Sequence, residues 1–374
     1  MKRPFRWRSL LWCLIPTAVA AGMYWVLPHF PRFTEYAVTR GLFRVVSYPV
    51  EWLLSLLPFS LTEWVVVLGI PVGLGLLVWW IVGLIRRSGR RERLGRGCRV
   101  LAWGLSLAWL VFMVMDGANF SRLPLADLME LPNRQYTVQE LYTLTADLAR
   151  QATEARAQLA EDENGCMVLS QPLSQALRQG DAGYAVLRRT YPYLVTGTWR
   201  VKAVALSHQW SYTGYTGVYC PWLGEASVNV DVPDCELMHT VAHELAHTMG
   251  FAKENECNFL GYLACVASGQ PEQVYSGALS AYIYCSNALY KADKALWKQA
   301  YTRLSYGVQR DLQQRRDYWK QFEGQVMDSS QKVNDGFIKA NGVESGVISY
   351  DEMVELLLRY YDREGWFATA AEEK

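Results

Sequence analysis

Histidine is scarce in this chain, and so is net charge. Among 374 residues there are five histidines, and 37 Lys/Arg against 36 Asp/Glu leave a formal charge of +1. Cys/His spacing of the zinc-finger kind is absent, and no motif marks any of the eight cysteines as a nucleophile. Acidic residues are nearly missing from the first part: residues 1–115 hold 14 Lys/Arg and 4 Asp/Glu, whereas the remainder holds 23 and 32. A charge of +10 is therefore followed by one of −9, and the mildly acidic second part argues against nucleic acid as a partner.

The first part has long apolar runs instead. Leu10–Leu27 is an uncharged stretch of 18 residues, Trp64–Ile85 one of 22 and Val100–Met115 one of 16, and each reads as a transmembrane helix. The third is short and must borrow flanking residues such as Gly117 and Ala118. Between the second and third, Arg86–Arg99 carries seven arginines and one Glu, which the positive-inside rule places in the cytoplasm. Three spans then put everything after about residue 117 outside the cytoplasm. Ala18-Val-Ala20 also fits a signal-peptidase site, but the apolar run continues past it to Leu27, so an uncleaved span is expected. Residues 29–61 contain Arg32, Arg40, Arg44 and Glu51, charges that are costly at mid-membrane without partners, so an interfacial helix is expected there.

Three of the five histidines lie at 239, 243 and 247, a stripe at helical spacing. The stretch His243-Glu244-Leu-Ala-His247 is an HExxH motif. Residues four apart share a helix face, so His243 and His247 can aim two imidazoles at one ion while Glu244 stands beside them as a general base toward water. Gly250 suits a helix stop, and the next apolar helix opens with Glu254 and Glu256. A catalytic zinc site takes three protein ligands and leaves a position open. The metzincin pattern needs a histidine at position 253, where this chain has Lys253, so that subclass is excluded. Glu254 and Asn258 resemble the gluzincin arrangement, in which a Glu on the following helix is the third ligand and an Asp four residues later holds one of the histidines. Here Asn replaces that Asp. Glu254 is assigned as the ligand; Glu256, on a different face of the same helix, is the alternative. His239, one turn before His243, would crowd the open position as a ligand and reads as packing.

The same residues carry a family resemblance. Residues 243–265, HELAHTMGFAKENECNFLGYLAC, and 217–229, GVYCPWLGEASVN, are similar to those of uncharacterised bacterial multi-pass membrane proteins with a gluzincin-like domain. The resemblance extends to Val333–Lys339 and Ser349–Leu358, and it implies a membrane-anchored metallopeptidase.

Elsewhere the second part reads as helices with a little sheet. Thr137-Val-Gln-Glu140 is a capping box opening a helix to about Glu161, Leu173–Leu187 gives another helix, and Trp199–Ser207 a strand. Tyr212–Gly217 reads as a turn. Gly224–Val232 is a second strand, in which Gly224–Asn229 is the candidate cleft edge for pairing with extended substrate, equally compatible with a purely structural hairpin. Helices follow through Gly277–Gln321, and a last one begins at Ser349-Tyr350. Tyr350, Tyr284 and His208 are candidates to steady an oxyanion. Cys166, Cys220, Cys235, Cys257, Cys265 and Cys285 fall in the outward part, where either disulfides or buried thiols are admissible.

The expectation is an α+β chain, mainly α: a membrane domain, residues 1–116, with three transmembrane helices, then an extracytoplasmic zincin-like domain, residues 117–374, with a small β-sheet and the HExxH helix. It is a zinc metallopeptidase of the cell membrane, with Zn²⁺ on His243, His247 and Glu254, Glu244 as the catalytic base, and a peptide or protein substrate. The rivals are a non-catalytic zinc-binding sensor or scaffold of the cell envelope, whose mark would be a fourth protein ligand such as Glu256 or His239, and a hydrolase of non-peptide amides.

Overall fold

The computed structural model describes residues 11–86, 90–343 and 350–367. The chain is mainly helical, with one two-stranded ladder and one three-stranded sheet among the described residues.

The expectation of three spans is corrected. The first apolar run forms α1, Leu14–Val26, of 13 residues. At 1.5 Å per residue that is about 20 Å, short of the roughly 30 Å hydrocarbon core. Pro28 and Pro31 each open a new helical turn, and a proline removes the N–H that would continue the preceding helix. Among the described residues two helices are long and apolar enough to cross a membrane: α3, Leu61–Arg86, through its Leu61–Ile85 portion, and α4, Arg90–Met115. α1 lies alongside α4, with the Thr17 and Ser106 hydroxyls 2.7 Å apart.

Between α1 and α3 the chain is helical as expected for residues 29–61, through a π-wound stretch Thr34–Phe43 and α2, Arg44–Leu54. Its charges find partners in protein. Glu35, fully buried, receives a bidentate pair from Arg122 at 2.8 and 3.0 Å. Glu51 accepts the Gly197 N–H at 2.8 Å, and Arg44 donates to the Thr248 carbonyl at 3.2 Å. The carbonyls at the end of α2 face cations: Lys202 donates to Leu54 and Leu57, and Arg200 to Ser55 and Leu56. The start of α3 faces an anion: Glu225 accepts the N–H groups of Leu61 and Thr62 at 3.1 and 2.7 Å. Both placements complement the helix dipole.

Lys202 and Glu225 belong to the sheet. Strand β3, Lys202–Ala203, pairs parallel with β5, Glu225–Val228, and β5 pairs antiparallel with β4, Gly217–Cys220, in register Gly217↔Val228 and Cys220↔Glu225. The two-stranded ladder joins β1, Ala160–Glu161, to β2, Met167–Val168. The spatial order β3-β5-β4 makes β5 central, so Gly224–Asn229 is not the cleft edge. That edge is β4, whose first residue the sequence assigned to a turn. The strand expected over Trp199–Ser207 is only two residues long, and the helix expected over Leu173–Leu187 is two short helices, Leu173–Ala176 and Ala182–Leu187.

The remaining helices form the core. α5, Val138–Arg156, opens on the expected capping box: Thr137 Oγ1 accepts the Glu140 N–H, and Glu140 Oε2 accepts the Thr137 N–H. The pair α6, Asp234–Thr248, and α7, Glu254–Ala267, packs on α8, Pro271–Ala292, which lies along α5. Leu144, Leu148, Val241, Phe259 and Leu279 are buried in this common core. α9, Lys294–Tyr301, α10, Tyr306–Lys320, α11, Gln325–Ala340, and α12, Tyr350–Arg363, complete the chain. No disulfide links Cys166, Cys220, Cys235, Cys257, Cys265 or Cys285; Cys257 and Cys265 are buried thiols, Cys257 donating to the Phe251 carbonyl at 3.1 Å.

α10 is tied to the core by Asp311, which is fully buried and accepts from Arg156 at 2.6 Å, the Met167 N–H at 2.9 Å and the Tyr275 hydroxyl at 2.5 Å. Asp311→Ala leaves Arg156 with Glu161 at 3.0 Å and the Gly165 carbonyl at 2.9 Å but takes the acceptor from its Nε, from the Met167 N–H and from the Tyr275 hydroxyl, so unfolding in denaturant should show a loss of about 3–5 kcal/mol. A loss below about 1 kcal/mol would mean that water replaces the carboxylate at no cost.

Candidate functional site: a His-His-Glu cluster in a cleft

α6 and α7 carry the site, and the joint between them sets its geometry. α6 ends before Gly250, which takes φ +79° and packs so closely on Phe43 and Thr39 that a Cβ would lie 2.9 and 3.0 Å from them. Arg122 holds this corner by donating to the Gly250 carbonyl at 2.8 Å while stacking on Phe251. The chain then re-enters α7 at Glu254. This brings His243, His247 and Glu254 together, with one ligating atom from each inside a 4.8 Å group, the only such His/Cys/Asp/Glu group among the described residues.

The Nε2 atoms of His243 and His247 are 3.2 Å apart, and Glu254 oxygens lie 3.2 Å from the first and 3.7 Å from the second. Each outer nitrogen has an acceptor: Nδ1 of His243 faces Asn258 Oδ1 at 2.9 Å, and Nδ1 of His247 faces the Phe251 carbonyl at 2.8 Å. With a proton on each Nδ1, the neutral rings would turn their Nε2 atoms inward as ligands. Two imidazole nitrogens and a carboxylate that converge in this way could hold a metal ion. Burial pushes both imidazoles toward the neutral form; at His243 the Glu254 carboxylate outweighs it and lifts the pKa to about 9, whereas His247 stays down at about 4. Glu254 is held at about 2, its hydrogen bond and charge contact with His243 overcoming burial.

Glu244 projects into the same cleft. Burial, reinforced by Glu254, raises its pKa to about 8, and its Oε2 has no protein partner. Gly217 of β4 lies against it, since a Cβ there would come within 2.4 Å of Oε1; the glycine lets the strand backbone pass beside the carboxylate. The cleft, of about 690 Å³, is walled by Gly217–Tyr219 of β4, by Tyr284 of α8, by Phe112 and Asp116 at the end of α4, and by Phe337 of α11. A second cavity of about 500 Å³, among Arg150, Tyr262, Tyr361 and Trp366, holds no ligating group of this kind.

The other candidates separate cleanly. Glu256, the alternative ligand, is turned away: its Oε1 accepts the Leu125 N–H at 2.8 Å. His239 is buried, contacts the Asn258 carbonyl at 3.1 Å, and is held neutral by burial with a pKa of about 4. His208 pairs with Asp231 at 3.0 Å outside the cleft, and the side chain of Tyr350 lies outside the described residues. Tyr284 does line the cleft, its phenol kept protonated by burial. Two residues were missed from sequence. Tyr219 stacks on His247, ring centroids 6.0 Å apart, and nothing in its local pattern marks it. Asp116, whose carboxyl burial and Glu254 push up to about 8, was hidden at the seam between apolar run and soluble part, although an acid ending such a run is itself a signal.

Fold and site thus define a mainly helical protein with two membrane-length helices and a His-His-Glu cluster beside a short sheet. Residues 38–358 match the family described as a protein of unknown function (DUF3810), and the chain belongs to it. No curated protein and no solved structure matches the chain.

Proposed function

We propose that this is a membrane-anchored zinc metallopeptidase of the gluzincin type, acting on peptide or protein substrates outside the cytoplasm. The observation that carries the reading is the convergence of His243, His247 and Glu254 next to a buried Glu244, with Glu256 engaged by the Leu125 N–H and His239 by the Asn258 carbonyl, so that three protein ligands would hold an ion and leave it a place for water. Two imidazoles and a carboxylate suit zinc.

A zinc ion held there supplies positive charge that polarises a carbonyl and acidifies water. The chain does the rest. Glu244 takes the proton of the attacking water and returns it to the leaving amine, and the charge of an ion beside it would bring its raised pKa down into the working range. Asn258 and the Phe251 carbonyl hold the two imidazoles with Nε2 inward. β4 offers an unpaired edge along the cleft, to which an extended peptide can add as a further strand. Tyr284 is placed to donate to a developing oxyanion.

The membrane arrangement rests on α3 and α4. With two spans instead of three they form a hairpin whose basic connection lies in the cytoplasm, so both ends and the cleft between them emerge on the opposite side. The testing experiment is hydrolysis of a mixed peptide library by the purified full chain, with metal content determined alongside. Zinc-dependent cleavage supports the reading; a folded, metal-free and inactive protein overturns it. Asn258→Ala should weaken zinc binding about ten- to a hundredfold by freeing the His243 ring, as read by competition with a chromophoric chelator. Unchanged affinity would remove Asn258 from the site.

A further inference from the structure

The cleft contains one carboxylate that neither the ion site nor the fold employs. Asp116 directly follows α4, is 7% exposed, and lines the same cleft as Glu244 and Glu254. It stands at the N-cap of the short turn Gly117–Ser121, where an aspartate ordinarily accepts a backbone N–H, yet its side chain makes no such bond. Among the described residues no cation pairs with it, and its nearest charged influence is another anion, Glu254. Its oxygens also fall outside the 4.8 Å group of His243, His247 and Glu254, so it is not a further ligand to the same ion.

The charges lining the cleft can be matched one by one. Glu236 is paired with Arg315 at 2.5 Å and accepts from the Trp319 indole. Glu254 and Glu244 face the imidazoles, where a divalent ion would balance both. Asp116 is left over. A buried carboxyl group without a polar partner is disfavoured, and Asp116 lines the cleft, from which a partner can arrive.

We propose that Asp116 forms a subsite for a cationic group of the substrate, an ammonium or guanidinium carried by the peptide. This rests on the peptidase reading and specifies its substrate class: peptides with a free α-amino group or a Lys or Arg side chain close to the scissile bond. Phe112 and Phe120, which line the same cleft, suit the aliphatic stem or the face of such a group.

The test uses the full chain in nanodiscs, zinc-loaded, and reads binding and turnover separately. Fluorescein-labelled peptides are prepared in matched pairs, Lys against Met at each position and free against acetylated N-terminus, and are titrated by anisotropy onto Glu244→Gln with and without Asp116→Asn. With Asp116 present, the cationic member of one pair should bind about ten- to a hundredfold more tightly than its neutral twin, the pair concerned distinguishing side chain from α-amine. Asp116→Asn should remove that difference while the neutral twin binds as before, and Asp116→Glu should restore a large part of it. Thermal unfolding of each variant establishes that the fold is intact. A charge preference that survives in Asp116→Asn, or no preference at all, overturns the subsite. Hydrolysis of the same pairs by the native chain keeps the two readings apart: cleavage without charge preference sinks the subsite alone, and charge-selective binding without cleavage sinks the peptidase alone.

Discussion

Glu244→Gln is expected to keep its zinc, about one per chain, and to lose roughly 10²- to 10⁴-fold in kcat/KM on peptide substrates. The amide preserves the volume that Gly217 packs against, and it leaves His243, His247 and Glu254 untouched, so nothing in the substitution loosens the ion. What it removes is a group able to accept a proton. Glutamine also cannot ionise in a buried position, so the variant should be at least as resistant to unfolding as the native chain, which separates lost chemistry from lost fold. The measurement is steady-state cleavage together with metal content on matched preparations of both proteins. If turnover survives the substitution, Glu244 is not the base. Zinc bound with no turnover in either protein would point to the rival reading, a zinc-holding sensor or scaffold of the envelope, for which a general base beside the ion has no use.

The centre of the site was legible because its information is local. His243, Glu244, His247, Gly250 and Glu254 fall within one helix, one turn and the start of the next helix, where spacing alone decides which side chains converge. The choice between Glu254 and Glu256 was also a matter of helix face, and the structure separates them in that way, one toward the imidazoles and the other toward the Leu125 N–H. Sheet order was not legible. Whether Gly224–Asn229 is edge or centre depends on β3, a two-residue strand whose pairing partner lies some 25 positions away. Nor could the apolar run Leu10–Leu27 be told from a span by hydropathy alone, since Pro28 and Pro31 act on helix length rather than on apolarity.

The segment before the spanning helices shows the same limit with larger consequences. Glu51 was read as costly in a membrane because its partners, Gly197 and Thr196, are far off in sequence; Glu35, in the same segment, depends likewise on Arg122. Seen in three dimensions, the stretch Thr34–Leu54 packs against the part of the molecule that carries the His-His-Glu cluster. The family match, residues 38–358, takes in this stretch from Val38 onward together with the cleft residues.

A fragment beginning at residue 117 is therefore expected to fail as a folded protein. It would retain Arg122 without Glu35, Lys202 and Arg200 without the α2 carbonyls, and Glu225 without the α3 amides, and it would expose the corner at Gly250 that Thr39 and Phe43 cover. Lys202 and Glu225 keep each other as partners at 4.0 Å, but the deletion uncovers these groups and the apolar surfaces around them, a loss large against the total stability of a typical domain, about 5–15 kcal/mol. The full chain in detergent should give a single cooperative thermal transition that zinc shifts upward. The 117–374 fragment should show helical far-ultraviolet dichroism, weak near-ultraviolet signal, no cooperative transition and no zinc-dependent shift. A sharp, zinc-responsive transition in the fragment would mean that the buried pairs are dispensable and that the membrane part is only a tether. Failure of the fragment alongside a competent full chain would mean that the segment before residue 117 also builds the corner that sets Glu254 opposite the two histidines.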